Sequence, residues 1–339
     1  MAKVLVTGGS GFIGGHLVRA LRKQGDEVTC LVRRTSPVAR LERLGVARML
    51  GDVTDLESLK AAVAGKSVVY HLAGLVTGLH AREMYRVNQG GTANVARACA
   101  ERPEPPLLVY VSSLAAAGPS TPERLRVETD PTEPISVYGR SKRAGEVAAQ
   151  RYADRVPITV IRPPIVLGEG DRVGLPLFQS VARWGVHVVG GLAPRRFSVI
   201  HADDLAEGLI LAARRGERLL PPADNEPPRW RGFYFVGDDE HPEYGDLGRM
   251  VGAAVGRRGV RVIRIPVPLV WTVAGGVQLA AHLRGRALFL GLDKAREICA
   301  PSWTCSPRKA IDQLGFRVAA PLAERLRQTA AWYRSEGWL

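Results

Sequence analysis

Short apolar runs alternate along the first two-thirds or so of the chain with segments whose apolar positions recur every three to four residues. The runs Lys3–Thr7, Glu27–Val32, Val46–Leu50, Val68–Leu72, Leu107–Val111 and Ile158–Ile161 predict strands. Between the first two, Phe12, Ile13, Leu17, Val18 and Leu21 share one face of a helix that runs to Lys23 and stops at Gly25. Further helices are predicted over Arg82–Glu101, from near Ser136, over Leu175–Trp184 and over Leu205–Arg214, the last opened by Asp203 and Asp204 as charges on the helix dipole. Strands alternating with helices predict an α/β fold with a doubly wound, mainly parallel sheet of about seven strands.

From Gly168 the pattern breaks into Gly- and Pro-rich connections, where a smaller C-terminal lobe begins. Residues 1–165 are expected to form the sheet domain, with 197–215 returning to it, and 166–196 with 216–339 to form the second lobe. In that lobe Phe233–Val236, Tyr244–Val255 and Val260–Ile265 predict strand, helix and strand; Leu219–Arg231 predicts a polar surface loop; Ser306–Leu314 and Pro321–Trp332 predict two closing helices. His187 is read as structural. The segment Pro266–Leu290 is strongly apolar until Arg284 and Arg286, and too short to cross a bilayer comfortably. It has three readings: a helix against the substrate pocket, a peripheral membrane contact with arginines at the headgroups, or an oligomer interface. The first two favour an apolar substrate.

The chemistry starts at Lys3–Gly15, KVLVTGGSGFIGG, where Gly8, Gly11 and Gly14 stand three apart between strand and helix. A tight turn at Gly8, close backbone approach to a diphosphate at Gly11 and helix-to-strand packing at Gly14 would place a dinucleotide on the helix N-terminus. At the end of the second strand, where an NAD site carries an acid for the ribose hydroxyls, the chain reads Val32, Arg33, Arg34, Thr35 and Ser36. Two guanidiniums there suit a 2′-phosphate, hence NADP before NAD; the alternative is a pair of solvated arginines. Asp52, after the third strand, could accept from the adenine amino group, or Asp52 or Asp55 could cap the next helix. Small residues at Ala73 and Gly74 leave room for a cofactor at the edge of the fourth strand.

Past the fifth strand come Ser112 and Ser113, then a Pro-, Thr- and Glu-rich loop over Gly118–Pro134 long enough to act as a flap. It leads to Tyr138 and Lys142, four residues apart and on one face of the predicted helix. An ammonium beside a phenol lowers its pKa, which suits a proton donor or acceptor.

Net charge is +14, carried by 40 Arg against 7 Lys that are scattered rather than gathered, with no basic run interleaved with aromatics and no recognition-helix pattern, so no nucleic-acid partner is indicated. Cys30, Cys99, Cys299 and Cys305 make no C-x-x-C pair and indicate neither a disulfide framework nor a metal site. The first residues already form a strand the fold needs, which leaves no cleavable signal peptide and points to the cytoplasm.

Taken together, Gly8, Gly11 and Gly14; Asp52; the HLAG run His71–Gly74; Val87, Asn88, Gly91 and Thr92; Ser112 and Ser113; Tyr138 and Lys142; Arg162, Pro163 and Pro164; and FSVIHADDLA over Phe197–Ala206 resemble the extended short-chain dehydrogenase/reductase superfamily, which includes NAD-dependent epimerases and dehydratases, over nearly the whole chain. The resemblance implies a Rossmann fold with a substrate lobe, Tyr138 as catalytic acid/base, Lys142 on the nicotinamide ribose and Ser113 orienting the substrate oxygen, with Ser112 the competing choice. It implies a cofactor lying along Gly8, Gly11, Phe12, Ile13, Gly14, Arg33, Arg34, Asp52, Val53, Leu72, Ala73, Gly74, Asn88, Tyr138, Lys142 and Pro163, and a homodimer through Arg82–Glu101 and Tyr138–Asp154. Ala117 and Gly74 depart from the usual tyrosine and alanine and alter pocket shape. LVRRTS over Leu31–Ser36, the Arg-Pro-Pro turn and the apolar C-terminal segment look similar to the 3β-hydroxysteroid dehydrogenase and dihydroflavonol reductase branch. That implies hydride transfer between a secondary alcohol and a ketone on a bulky small molecule. Nucleotide-sugar dehydratases carry Thr-Asp-Glu where this chain has Ser113, Leu114 and Ala115, so that chemistry is disfavoured. A nucleotide-sugar epimerase with tightly held NAD is the alternative, and a cofactor-sensing protein without catalysis a third.

Overall fold

In the computed structural model, which describes residues 1–222, 230–285 and 290–339, the predicted alternation folds into one seven-stranded parallel sheet. Its first six strands are β1 (Lys3–Thr7), β2 (Glu27–Val32), β3 (Ala47–Leu50), β4 (Val68–His71), β5 (Leu107–Val111) and β6 (Ile158–Arg162). The spatial order is Phe233–Phe235, β6, β5, β4, β1, β2, β3, so the chain reverses direction beside β1, where a doubly wound sheet opens its ligand crevice. The strand Phe233–Phe235 comes from within 216–339; its buried FYF pairs with Val160–Arg162 and covers the β6 edge.

Alternation along β1 sends Val4 and Val6 to one face and Leu5 to the other. Val4 and Val6 pack with Leu17, Val18 and Leu21 of Phe12–Lys23 and with Leu205 and Leu209 of the helix Ala202–Arg215. Leu5 packs with Leu59 and Ala62 of Leu56–Val63, Val95 of Thr92–Ala100 and Ala149 of Val137–Gln150. A third core, around Phe178, Leu247, Leu326 and Tyr333, belongs to the C-terminal part, where Val186–Gly190 pairs in parallel with Arg261–Ile265.

Several elements differ from expectation for physical reasons. The helix expected over Arg82–Glu101 runs as Ala81–Tyr85, a π segment at Arg86–Gly91 and Thr92–Ala100. Gly91 has ordinary helical angles, and its role is close packing: a Cβ there would stand 2.8 Å from Val53 Cγ2. The helix after Val199–His201 starts at Ala202, earlier than expected, because His201 Nδ1 accepts from the Asp203 amide at 3.2 Å. Asp203 and Asp204 do more than face the dipole: Asp203 Oδ1 lies 2.6 Å from His16 Nδ1 and accepts from Arg19 at 2.7 Å, while Asp204 Oδ2 accepts from Arg325 Nε at 2.8 Å. The 118–134 loop is no free flap. Ser120 N donates to Ser302 O at 3.0 Å, Arg126 N to Thr304 O at 3.1 Å, and buried Glu128 accepts from Phe235 N at 2.8 Å. Near the C-terminus a π turn at Ala310–Leu314 stands where a longer helix was expected, stopped by Gly315 at φ +72°; Leu322–Ser335 is the last helix. Most of the Leu219–Arg231 loop and Arg286 lie outside the described residues. His187 is buried, with Nε2 2.9 Å from Tyr244 O, as a structural histidine should be.

Candidate active site

The glycine turn has the geometry of an anion cradle. Gly8 turns at φ +75°, and a Cβ on it would come within 2.7 Å of Ala73 N; on Gly14 it would lie 2.1 Å from Gly8 O. Gly11 meets only Gly8 O, at 3.2 Å, so its outer side is open. It is the N-cap of Phe12–Lys23, with no side chain capping that terminus and no acid in the first turn. The amides at Phe12, Ile13 and Gly14 are thus left for an anion, and these residues fit the diphosphate of a dinucleotide.

Arg33 and Arg34 stand exposed past the end of β2, where Arg33 N donates to Ser36 Oγ at 2.9 Å. Of the two candidate caps, Asp55 takes the role, accepting from Glu57 N at 3.1 Å; Asp52 Oδ1 accepts from Thr54 N and Oγ1, each at 2.8 Å. Burial pulls the Asp52 carboxyl upward, but the Thr54 bonds and the Arg33 charge leave it below the usual range. Val53 is buried, and its carbonyl accepts from Asn94 Nδ2 at 3.0 Å.

At the tail of β4, Leu72 N donates to Thr7 O at 3.1 Å and Ala73 N to Thr7 Oγ1 at 3.3 Å, which joins this edge to the glycine turn. Buried Asn88 accepts from Leu75 N at 2.7 Å and donates to Leu75 O and Ser141 Oγ, each at 2.9 Å. A Cβ on Gly74 would lie 3.0 Å from Asn88 Oδ1 and 3.7 Å from Lys142 Nζ, so this glycine widens the floor beside the lysine. His71 sits between Thr7 Oγ1 at 2.7 Å and Thr92 Oγ1 at 3.0 Å, and burial, with the Lys142 charge, holds it down to about 3. It is therefore neutral in the folded protein, whereas the unfolded chain takes up a proton below about 6.5. Stability from His71 is full above that pH and is lost as pH falls, by about 2 kcal/mol at pH ~5. Denaturant midpoints between about pH 7 and 5 should fall by this amount and the fall should shrink in His71→Gln; an unchanged slope would mean the imidazole is not held neutral.

Ser136 caps Val137–Gln150, accepting from Gly139 N at 2.9 Å, and Tyr138 and Lys142 share a face as expected. Lys142 Nζ donates to Val111 O at 2.7 Å; burial holds the ammonium down to about 8 against the pull of Glu146. Tyr138 differs from expectation: burial pushes its phenol up to about 12, a hydrogen bond with Ser113 pulls it back, and Glu297 pushes it further up. Desolvation sets the direction, and the Lys142 ammonium is turned to Val111 O instead. The two serines separate cleanly. Ser112 Oγ donates to buried Glu146 Oε1 at 2.6 Å, while Ser113 faces Tyr138 and caps Leu114–Ala117, accepting from Ala115 N at 3.1 Å. Pro163 O accepts from Leu114 N at 2.9 Å, which ties the Arg-Pro-Pro turn to the serine.

Two groups have no counterpart in the sequence reading. Glu146 binds fully buried Arg162 through two bonds of 2.8 and 2.7 Å, and the guanidinium lies 4.6 Å from the Phe233 ring centroid. A charge directly closing the apolar run of β6 was the signal for a buried partner. Asp293 Oδ1 and Oδ2 accept from Val137 N at 2.6 Å and Tyr138 N at 3.2 Å, pairings across 156 and 155 positions with no local signature.

A family model described as "NAD dependent epimerase/dehydratase family" matches residues 4–224. The chain belongs to that family. Among its relatives, a ceramide reductase of Caulobacter vibrioides is 35% identical, covering 99% of this chain and 96% of its own length. A 4-hydroxy-2-methyl-3-oxo-4-farnesyl-3,4-dihydroquinoline-1-oxide ketoreductase of Stigmatella aurantiaca is 29% identical over 95% and 98%. A 3β-hydroxysteroid dehydrogenase/Δ5→4-isomerase of Mycobacterium tuberculosis is 32% identical over 84% and 77%. In fold the chain matches Thermus thermophilus UDP-glucose 4-epimerase in complex with NAD, at TM-score 0.74 and 24% identity over 98% and 99%. The chain is an NAD(P)-dependent enzyme of the extended short-chain dehydrogenase type.

Proposed function

We propose that the protein is an NADP-dependent oxidoreductase that interconverts a secondary alcohol and a ketone on a bulky apolar substrate. The observation that carries this reading is the hydrogen-bonded Ser113–Tyr138 pair beside buried Lys142, set in an apolar cluster of Leu114, Ala115, Phe197, Phe235 and Trp303. Apolar surroundings suit an apolar substrate, and the relatives' names specify ceramide, a farnesylated quinoline oxide and a steroid. The substrate lobe would be formed by 166–196 and the part of 216–339 beyond the seventh strand.

In the reductive direction the ketone oxygen lies between the Ser113 hydroxyl and the Tyr138 phenol. A reduced nicotinamide cofactor held along the glycine turn and by Lys142 would supply the hydride for the carbonyl carbon. Tyr138 gives its proton to the oxygen, Ser113 donates a hydrogen bond to it, and the Lys142 ammonium offsets the charge left on the phenolate. A phenol whose pKa is raised by burial stays protonated at neutral pH, so the proton is in place for this step. Turning Lys142 from Val111 O toward Tyr138 would ease the reverse reaction.

Exposed Arg33 and Arg34 support NADP, because Arg binds phosphate bidentately and no acid stands at the strand end. Arg33→Ala with Arg34→Ala should weaken NADPH binding at least about tenfold and leave NADH nearly unchanged, read by calorimetry. Equal losses for both cofactors, or protein that arrives loaded with NAD, would favour the epimerase alternative, which uses the same Ser113, Tyr138 and Lys142.

Two partner assignments accompany this reading. The helix Val267–Leu283 exposes Leu269, Trp271, Val273, Leu279 and Leu283, between exposed Arg257, Arg258 and Arg261 on one side and Arg284 on the other. Among the described residues no helix is long and apolar enough to cross a membrane, and this helix would instead lie along an anionic lipid surface in the cytoplasm. An open groove of about 480 Å³ lined by Tyr85, Gln89, Ala93 and Ala148 would receive the same helices of a second copy. Cosedimentation with phosphatidylglycerol vesicles tests the first and sedimentation velocity the second; unbound protein or a monomer contradicts them respectively.

A further inference from the structure

The helix Leu292–Cys299 reaches the catalytic helix with two carboxylates one turn apart. Asp293 closes on the amides of Val137 and Tyr138. Glu297, four residues on, therefore points along the same side. Its surroundings place it at the site: Glu297 O accepts from Trp303 Nε1 at 2.8 Å, and Trp303 and Ala300 pack in the same apolar cluster as Tyr138. The Glu297 side chain is only 13% exposed, and its two oxygens differ sharply. Lys294 Nζ donates to Oε2 at 2.6 Å, which fixes the carboxylate, while Oε1 is buried with no hydrogen-bond partner among the described residues. A buried carboxylate oxygen held in place and left without a donor is costly unless something supplies one.

We propose that Glu297 Oε1 is the acceptor for a hydrogen-bond donor, a hydroxyl or an amide N–H, that the substrate carries close to its reacting carbon. This rests on the oxidoreductase reading and narrows it: the substrate is an apolar molecule with one polar donor beside the ketone, and not a plain hydrocarbon ketone. The apolar cluster holds the chain, Ser113 and Tyr138 hold the carbonyl oxygen, and Glu297 fixes which way the molecule lies.

The test compares two long-chain ketones, one with an acylamino group on the carbon next to the carbonyl and one without. Wild-type protein should prefer the acylamino ketone, and Glu297→Leu should lose about 10- to 100-fold more in kcat/KM on it than on the plain ketone. Glu297→Gln, which keeps an acceptor oxygen without the charge, should fall between. Equal losses on both ketones, or none on either, overturn the assignment; activity on the plain ketone also reports that the variant is folded. If wild-type protein reduces neither ketone with NADPH or NADH, the oxidoreductase reading fails by itself. Calorimetric titration with the acylamino alcohol then still decides Glu297: weaker binding by the same factor in Glu297→Leu upholds it, and equal or absent binding overturns it.

Discussion

Replacing Tyr138 by Phe should lower turnover by about 10²–10⁴-fold, the range that a positioned proton donor contributes. The substitution removes one oxygen from a helix that is otherwise held by the Ser136 cap and by Asp293, so the fold and the glycine turn remain intact. NADPH affinity measured by calorimetry should therefore change little. Ser113→Ala should cost less, because the proton still moves and only one hydrogen bond to the oxygen is lost. Ser112→Ala would report a different thing. That hydroxyl serves Glu146, and its loss should show in stability rather than in the chemical step. A Tyr138→Phe protein that kept its rate would remove the proton donor from the scheme altogether.

Glu146→Ala should be the most destabilising single change in the site region, by about 3–5 kcal/mol in denaturant unfolding. Glu146 and Arg162 are both fully buried and doubly bonded, so removing the carboxylate strands a guanidinium among Trp230, Phe233 and Phe235. Replacing both by Met should cost far less than Glu146→Ala alone, because no charge is then left unpaired. The pH dependence follows from the direction of the shift. Burial pulls Glu146 upward, but Arg162, Arg143 and Ser112 together hold its carboxyl below the ordinary value. Its contribution to stability is therefore complete above the ordinary carboxylate pKa and is lost as pH falls through the lowered one. The variant should lose this acid dependence. The chemistry should respond too, since the Glu146 charge keeps Lys142 from dropping below about 8. A stable Glu146→Ala protein would contradict the buried pair.

How much of this could be read from the chain depended on distance along it. β1, Phe12–Lys23 and β2 coincide with their expected bounds because period, glycine and apolar run all act within a few residues. The Ser136 cap and the Tyr138–Lys142 face are local in the same way, and so were legible. Choosing between Ser112 and Ser113 was harder: the family resemblance favoured Ser113, and the physical reason is Glu146, 34 positions from Ser112 and met only in the fold. Asp293 and Glu297 belong to a helix recognisable only once its carboxylates are seen on the catalytic helix. The direction of the Tyr138 shift was misjudged from spacing alone, because an i,i+4 lysine can turn elsewhere and burial is not written in two residues. The π segment at Arg86–Gly91 was hidden for a related reason: the neighbour that Gly91 packs against, Val53, comes from another unit.

The central claim, that Ser113, Tyr138 and Lys142 carry net redox chemistry on an apolar ketone, is tested most directly by the absorbance of reduced nicotinamide. Purified protein would be mixed with NADPH and the long-chain acylamino ketone, and the absorbance followed alongside the alcohol formed. The account predicts loss of one NADPH for each alcohol, at a rate removed by Tyr138→Phe. Ketone left unchanged with steady absorbance, while UDP-glucose is converted to its 4-epimer by the same protein, would contradict it.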